Sequence, residues 1–161
     1  MNQEKFPSSD HKKSFGKMIR EKVFRALRNS HDLINDTAET VDEVLNETFR
    51  EIKNKGGESE YLIPILVEYT LYAADDVGRD LGEISRGILQ GVVKAAKELG
   101  TDVNDWVEKT ARAMLLESDW RDIDLRIVIE NFIRKNIPDA KELLKKIYLS
   151  EKVAGETQRA A

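Results

Sequence analysis

The sequence predicts an all-α protein: an irregular bundle of five or six helices, open to division into two helix–turn–helix units plus C-terminal helices. Three observations point there. Apolar residues return at three- and four-residue steps over most of the chain, the period of a helix with one buried face. Only three prolines occur in 161 residues, Pro7, Pro64 and Pro138, so long stretches lack the strongest breaker. The apolar fraction is 40% and the charged fraction 35%, which suits a packed core under a heavily charged surface. A chain of this length can bury a sizeable core as one domain. Residues 13–154 are expected to form it, with 1–12 as a flexible lead and 155–161 as a disordered tail.

The lead is polar and carries Pro7-Ser8-Ser9, which is loop chemistry. From Lys13 the pattern turns helical, with Phe15, Ile19, Val23, Ala26 and Leu27 on one stripe. A second stripe, Ile34, Ala38, Val41, Leu45, Thr48 and Ile52, alternates steps of four and three like a coiled-coil seam. The absence of Gly and Pro between Gly16 and Gly56 favours one continuous helix. Asn35-Asp36-Thr37 favours a hairpin, because Asp36 and Glu39 have the spacing of an N-cap and its N3 partner. The break is placed there, and Gly56-Gly57 ends the segment.

The next segment opens near Ser59–Pro64 and reads as one helix to Leu99. Its first part, Tyr61 to Ala74, is apolar on every side, the mark of a helix at the centre of a bundle or in an oligomer interface. From Val77 it becomes one-sided, with Val77, Leu81, Ile84, Ile88, Val92 and Leu99 on one stripe. Gly100 is a stop, and Asp102 with Asp105 starts a helix carrying Val103, Trp106, Val107, Ala111, Met114 and Leu115. Ser118 is placed as the cap of a further helix over 119–135. The run Ile123–Ile129 also alternates as a strand would. Pro138 suits the first turn of a last helix, whose face is Leu143, Leu144 and Ile147. A shift of 66 residues pairs Val23 with Leu89, Leu27 with Val93 and Asp36 with Asp102. Duplication would explain this, and so would the way any two amphipathic hairpins align on their stripes.

Composition narrows the chemistry. There is no cysteine, which excludes disulfides, thiolate metal sites and cysteine nucleophiles. Two histidines, His11 and His31, are few for acid–base or metal work. No phosphate loop, zinc helix motif or nucleophile elbow occurs. No catalytic residue, metal ligand or cofactor is therefore assigned. The N-terminus lacks an apolar core of the secretory kind. The stretch from Tyr61 to Ala74 falls short of the roughly 20 residues a bilayer requires. No transmembrane segment and a cytoplasmic location are expected.

The glycines carry the functional expectation. Gly78, Gly82, Gly87 and Gly91 lie inside the segment read as one helix, and each costs about 1 kcal/mol there relative to alanine. Close approach of another backbone, or a bend, would justify them. The leading expectation is a non-catalytic helical interaction or scaffold protein that binds a protein partner or itself. Its contact surface would comprise Tyr61, Leu62, Ile65, Tyr69, Tyr72, Gly78 and Gly82. Gly87 and Gly91 fall toward the polar side of the helical wheel and are left out.

Two alternatives stand beside it. Residues 1–30 carry a net charge of +5, residues 31–110 of −10 and residues 111–161 of +1. Lys12, Lys13, Lys17, Arg20, Arg25 and Arg28, joined by Lys22 and with Phe15 and Phe24 interleaved, form a basic amphipathic face. Such a face suits a nucleic acid or an anionic membrane surface, with the acidic middle holding the arm when it is free. An overall pI of about 5.4 argues against a dedicated DNA binder. In the other alternative, Asp76 and Asp80, one helical turn apart, share Mg²⁺ with a phosphate ester. Glu39, Glu43, Glu47 and Glu51 step by four and read as the exposed side of a helix.

Overall fold

The computed structural model describes residues 9–54, 61–121 and 123–149. They form helices and the turns that join them, with no strand among them. The elements are α1 (Ser9–Leu27), α2 (Leu33–Asn54), α3 (Leu62–Asp76), α4 (Leu81–Leu99), α5 (Val103–Arg121), α6 (Arg126–Asn136) and α7 (residues 140–149). The all-α bundle is as expected, and the seven helices among the described residues exceed the expected five or six by dividing a segment read as continuous. Helix α1 opens at Ser9, so residues 9–12 are helical rather than lead. The Gly56-Gly57 stop, residues 1–8 and the tail over 155–161 lie outside the described residues.

Helices α1 and α2 are a hairpin, but its break precedes the expected one. The chain turns over residues 28–32. The Asp32 carboxylate accepts the backbone N–H of Asn35 at 3.2 Å, which makes Asp32 the cap. Asp36 already lies inside α2, where its carboxylate accepts the hydroxyl of buried Ser30. The capping aspartates of α2 and α5 are therefore Asp32 and Asp102, out of step with the repeat that pairs Asp36 with Asp102.

The segment read as one helix over 65–99 is two, joined at residues 77–80. Gly78 takes φ of 66°, the left-handed conformation glycine adopts without a Cβ penalty. The Gly78 N–H donates to Asp75 O at 3.0 Å and the Arg79 N–H to Ala74 O at 3.1 Å. These two bonds are a Schellman closure of α3. Asp80 then caps α4 by accepting from the Glu83 N–H at 3.1 Å. The α4–α5 corner repeats the device as Gly100-Thr101-Asp102. There the Thr101 N–H donates to Ala96 O at 3.0 Å and Asp102 accepts from the Asp105 N–H at 3.2 Å.

Two later boundaries also differ. Ser118 lies within α5, buried, its hydroxyl donating to Leu115 O at 2.8 Å, so it caps nothing. The alternation over Ile123–Ile129 resolves into a short connection followed by α6, whose N-cap position is Leu125. Pro138 sits in the turn before α7, and Asp139 takes a left-handed φ of 57° as that helix restarts.

The core runs through every helix. Helix α3 supplies Leu62, Leu66, Val67 and Leu71; α4 supplies Ile84, Ile88, Leu89 and Val92. Helix α1 contributes Ile19, Val23 and Leu27, α5 Val107 and Met114, α6 Ile129 and Ile133, and α7 Leu143, Leu144 and Ile147. The most extensive helix pair is α2 with α4, followed by α1 with α3, while α5 packs on both α3 and α4. Gly87 and Gly91 make the first pairing possible. A Cβ on Gly87 would fall 2.7 Å from Ile34 O, and one on Gly91 2.6 Å from Ala38 O. The two glycines are buried, not polar-facing as the helical wheel suggested.

Candidate functional site

The expected contact surface is divided by the fold. Leu62 and Ile65 are buried within the protein's own core, leaving 1% and 9% of their surface accessible. They are thereby withdrawn from an outer face. Tyr61 is half-buried and meets Phe15 edge to face, ring centroids 6.3 Å apart. Tyr69 is half-buried, its ring filling the space left by Gly16 on α1. Tyr72 remains exposed. Gly78 forms the turn after α3, with open space where a side chain would be. Gly82 is the second residue of α4; a Cβ there would meet Asp80 Oδ1 at 3.1 Å and Val128 Cγ2 at 3.9 Å, and no backbone. Within the chain neither glycine is a point of close helix approach, whereas Gly87 and Gly91 are.

The exposed apolar side chains concentrate elsewhere, at the end of α5 and the start of α6. Trp120 is 85% exposed, Leu116 62% and Ile127 65%. Leu116 and Trp120 stand one turn apart on the same face of α5. Their register follows from the opposite face, where Ala111, Met114, Leu115 and Ser118 are buried.

A polar cluster fixes this corner. The Arg121 guanidinium lies 4.8 Å from the Tyr72 ring centroid and donates to Asp75 Oδ2 at 3.1 Å, and it is also bound to Glu117. Arg20 approaches the same ring at 5.7 Å and pairs with Asp76 at 2.7 Å. Tyr72 thus carries two guanidinium groups, each held by an aspartate of α3. Burial, then the negative charge of Glu117, pushes the Glu68 carboxyl above the usual carboxylate range, and Arg121 opposes the shift.

The basic face of α1 survives in part. Lys12, Lys13, Lys17, Arg25 and Arg28 are exposed, and Phe24, 37% accessible, stands among them. Lys17, Arg20, Glu21, Phe24, Arg25 and Asp76 line a shallow cavity of about 360 Å³. Arg20 is committed to Asp76, and Lys22 pairs with Glu47 at 3.3 Å. The arm does not swing: Ile19, Val23 and Leu27 anchor it in the core.

The expected carboxylate pair falls in two elements. Asp76 ends α3 and pairs with Arg20, whereas Asp80 caps α4. Glu39, Glu43, Glu47 and Glu51 are exposed along α2, as their spacing predicts. A pair that spacing could not reveal is Asp42 with Glu98, from α2 and α4. The hydrogen bond with Asp42, above all, raises the Glu98 carboxyl above its ordinary range, and Lys94 approaches Asp42 at 3.5 Å. Among the described residues no group of three or more metal-ligating side chains converges. No described helix is long and apolar enough to cross a membrane.

Set beside known proteins, the chain matches no family model, no curated protein and no solved structure.

Proposed function

We propose that the protein is a non-catalytic helical interaction module that self-associates through the end of α5 and the start of α6. The observation that carries this reading is Trp120, 85% exposed, with Leu116 one turn before it. A tryptophan buries roughly 150–250 Å² when covered. At ~25 cal/mol per Å² that is about 4–6 kcal/mol of gross transfer free energy. Exposed tryptophan is also the side chain most enriched at interface hot spots. Arg121 holds the neighbouring turn against Tyr72, so the surface is offered from a rigid helix.

Sedimentation velocity tests it. The wild-type chain is expected to associate as concentration rises, and Trp120→Ala to shift the population toward monomer while melting at the same temperature as wild type at concentrations where both are monomeric. Trp120 emission should shift to the blue on association, while Trp106, buried against Phe49 at 5.5 Å, stays constant. A wild-type chain that remains monomeric up to about 100 µM, a range covering ordinary specific affinities, overturns the reading.

A second reading is favoured by the outer side of α1, where Lys17 and Arg25 line a cavity with Phe24 and where Lys13 and Arg28 are also exposed. It is attachment to a phosphate-rich anionic surface with α1 still docked. Binding to anionic vesicles should then weaken steeply with salt, and Lys17→Glu with Arg28→Glu should abolish it. Binding that persists in that double variant removes this reading.

A further inference from the structure

We propose that the groove between α6 and α7 docks an acidic amphipathic helix of a partner protein. The groove, about 860 Å³, is lined by Glu130 and Arg134 of α6 and by Lys141, Leu144, Lys145, Tyr148 and Leu149 of α7. Its apolar part is the Tyr148 ring, the edge of buried Leu144 and Leu149, which is 65% exposed. The Tyr148 hydroxyl donates to Glu130 Oε1 at 2.7 Å, tying the two walls together. Glu130 is the one carboxylate in the lining, set against the three cations Arg134, Lys141 and Lys145, so the groove carries a cationic excess. Arg134 and Lys141 have no ion-pair partner among the described residues, and Lys145 reaches Glu142 only at 3.9 Å.

The charge selects the occupant. Residues 126–149 carry a net charge of +3 within a chain of net −4. The cations stand on both walls, with Lys141 and Lys145 one turn apart, so they match several anionic groups spread along a partner. Lys141 to Leu149 spans about 12 Å at 1.5 Å per residue, or two helical turns. A helix that offers leucines at i and i+4, flanked by Asp and Glu, places apolar side chains on the floor and carboxylates on both rims. The exposed glutamate face of α2 lacks the apolar residues this floor needs, which argues against a second copy as the occupant. The lining of the groove includes neither Trp120 nor Leu116.

The test is fluorescence anisotropy of the full chain with a labelled helical peptide carrying leucines at i, i+4 and glutamates on the flanks. The same peptide with lysine for glutamate is the control, and dodecyl phosphate is a separate arm. The glutamate peptide is expected to bind, more weakly as salt is raised, and the lysine peptide not to bind. Arg134→Glu with Lys141→Glu should weaken binding at least about tenfold while the helical circular dichroism and melting are unchanged, since both side chains are exposed. Trp120→Ala should leave it unchanged, which separates this proposal from self-association. Equal binding of the two peptides, no binding, or saturation by dodecyl phosphate alone without the peptide overturns it.

Discussion

Gly87 and Gly91 stand where α4 crosses α2, and their missing side chains set how closely the two backbones approach. Gly91→Ala would drive a methyl group to 2.6 Å from Ala38 O, and Gly87→Ala to 2.7 Å from Ile34 O. Urea unfolding should show each costing roughly 1–3 kcal/mol, the range for overpacking. Gly82→Ala meets no backbone and should cost less than about 0.5 kcal/mol. Reversal of that order would show that the glycines do not set the spacing. Glu68 gives a pH-dependent prediction. Its folded-state pKa is raised, chiefly by burial and then by Glu117, so the fold favours the protonated form. Its contribution to stability is present below the unfolded-state value and lost as pH rises through the folded-state value. Glu68→Gln should therefore melt higher than wild type at pH 7, and the gap should close below about pH 4. Gly87, Gly91 and Glu68 were visible in the sequence, but their environments were not, because each is created by neighbours distant along the chain.

At the scale of the element, the corners decide the fold. Gly78-Arg79-Asp80 stops one helix and starts the next within three residues, and Gly100-Thr101-Asp102 does the same. The second corner was legible because Gly100 follows a clear stripe. The first was hidden because Val77 and Leu81 continue the helical period across it. Periodicity sees faces, whereas a break depends on the left-handed turn at Gly78 and the cap at Asp80. Arg79 adds a link no local pattern encodes: its guanidinium donates to Leu27 O at 3.4 Å and Ser30 O at 2.7 Å. It thereby satisfies the Ser30 carbonyl in the turn after α1 and adds a second donor to the Leu27 carbonyl, which also accepts the Ser30 N–H at 3.1 Å. Arg79→Ala should cost about 1–3 kcal/mol by denaturant titration and speed amide exchange in the last turn of α1. Asp32→Ala should cost about 1 kcal/mol, the ordinary worth of an N-cap, and Asp36→Ala should not reproduce the loss of the Asn35 contact.

Across the whole molecule, α1 is part of the core. Ile19, Val23 and Leu27 are buried by α2 and α3. At about 1.5–3 kcal/mol each, they account for roughly 5–9 kcal/mol of gross stabilisation, against a typical net stability of about 5–15 kcal/mol. Removing residues 1–30 should therefore abolish cooperative thermal unfolding rather than release a bundle lacking a tail. A truncated chain with an unchanged melting temperature would contradict that. Any attachment to an anionic surface must use the outer face of α1 with the helix in place. The stretch from Tyr61 to Ala74 is apolar on most sides because α3 sits between α1 and α5, so its composition reflects burial within the monomer and leaves Tyr72 at the surface.

The amino-acid order by itself determined that the chain is helical, which stripes are buried and that Gly100 and Asp102 turn a corner, because helix period and capping act over a few residues. Tertiary structure decided which glycines touch a neighbouring helix, that Leu62 and Ile65 turn inward, and that Trp120 and the α6–α7 groove face outward. Those outcomes depend on which helix covers which face, and that is settled by the joint packing of all seven.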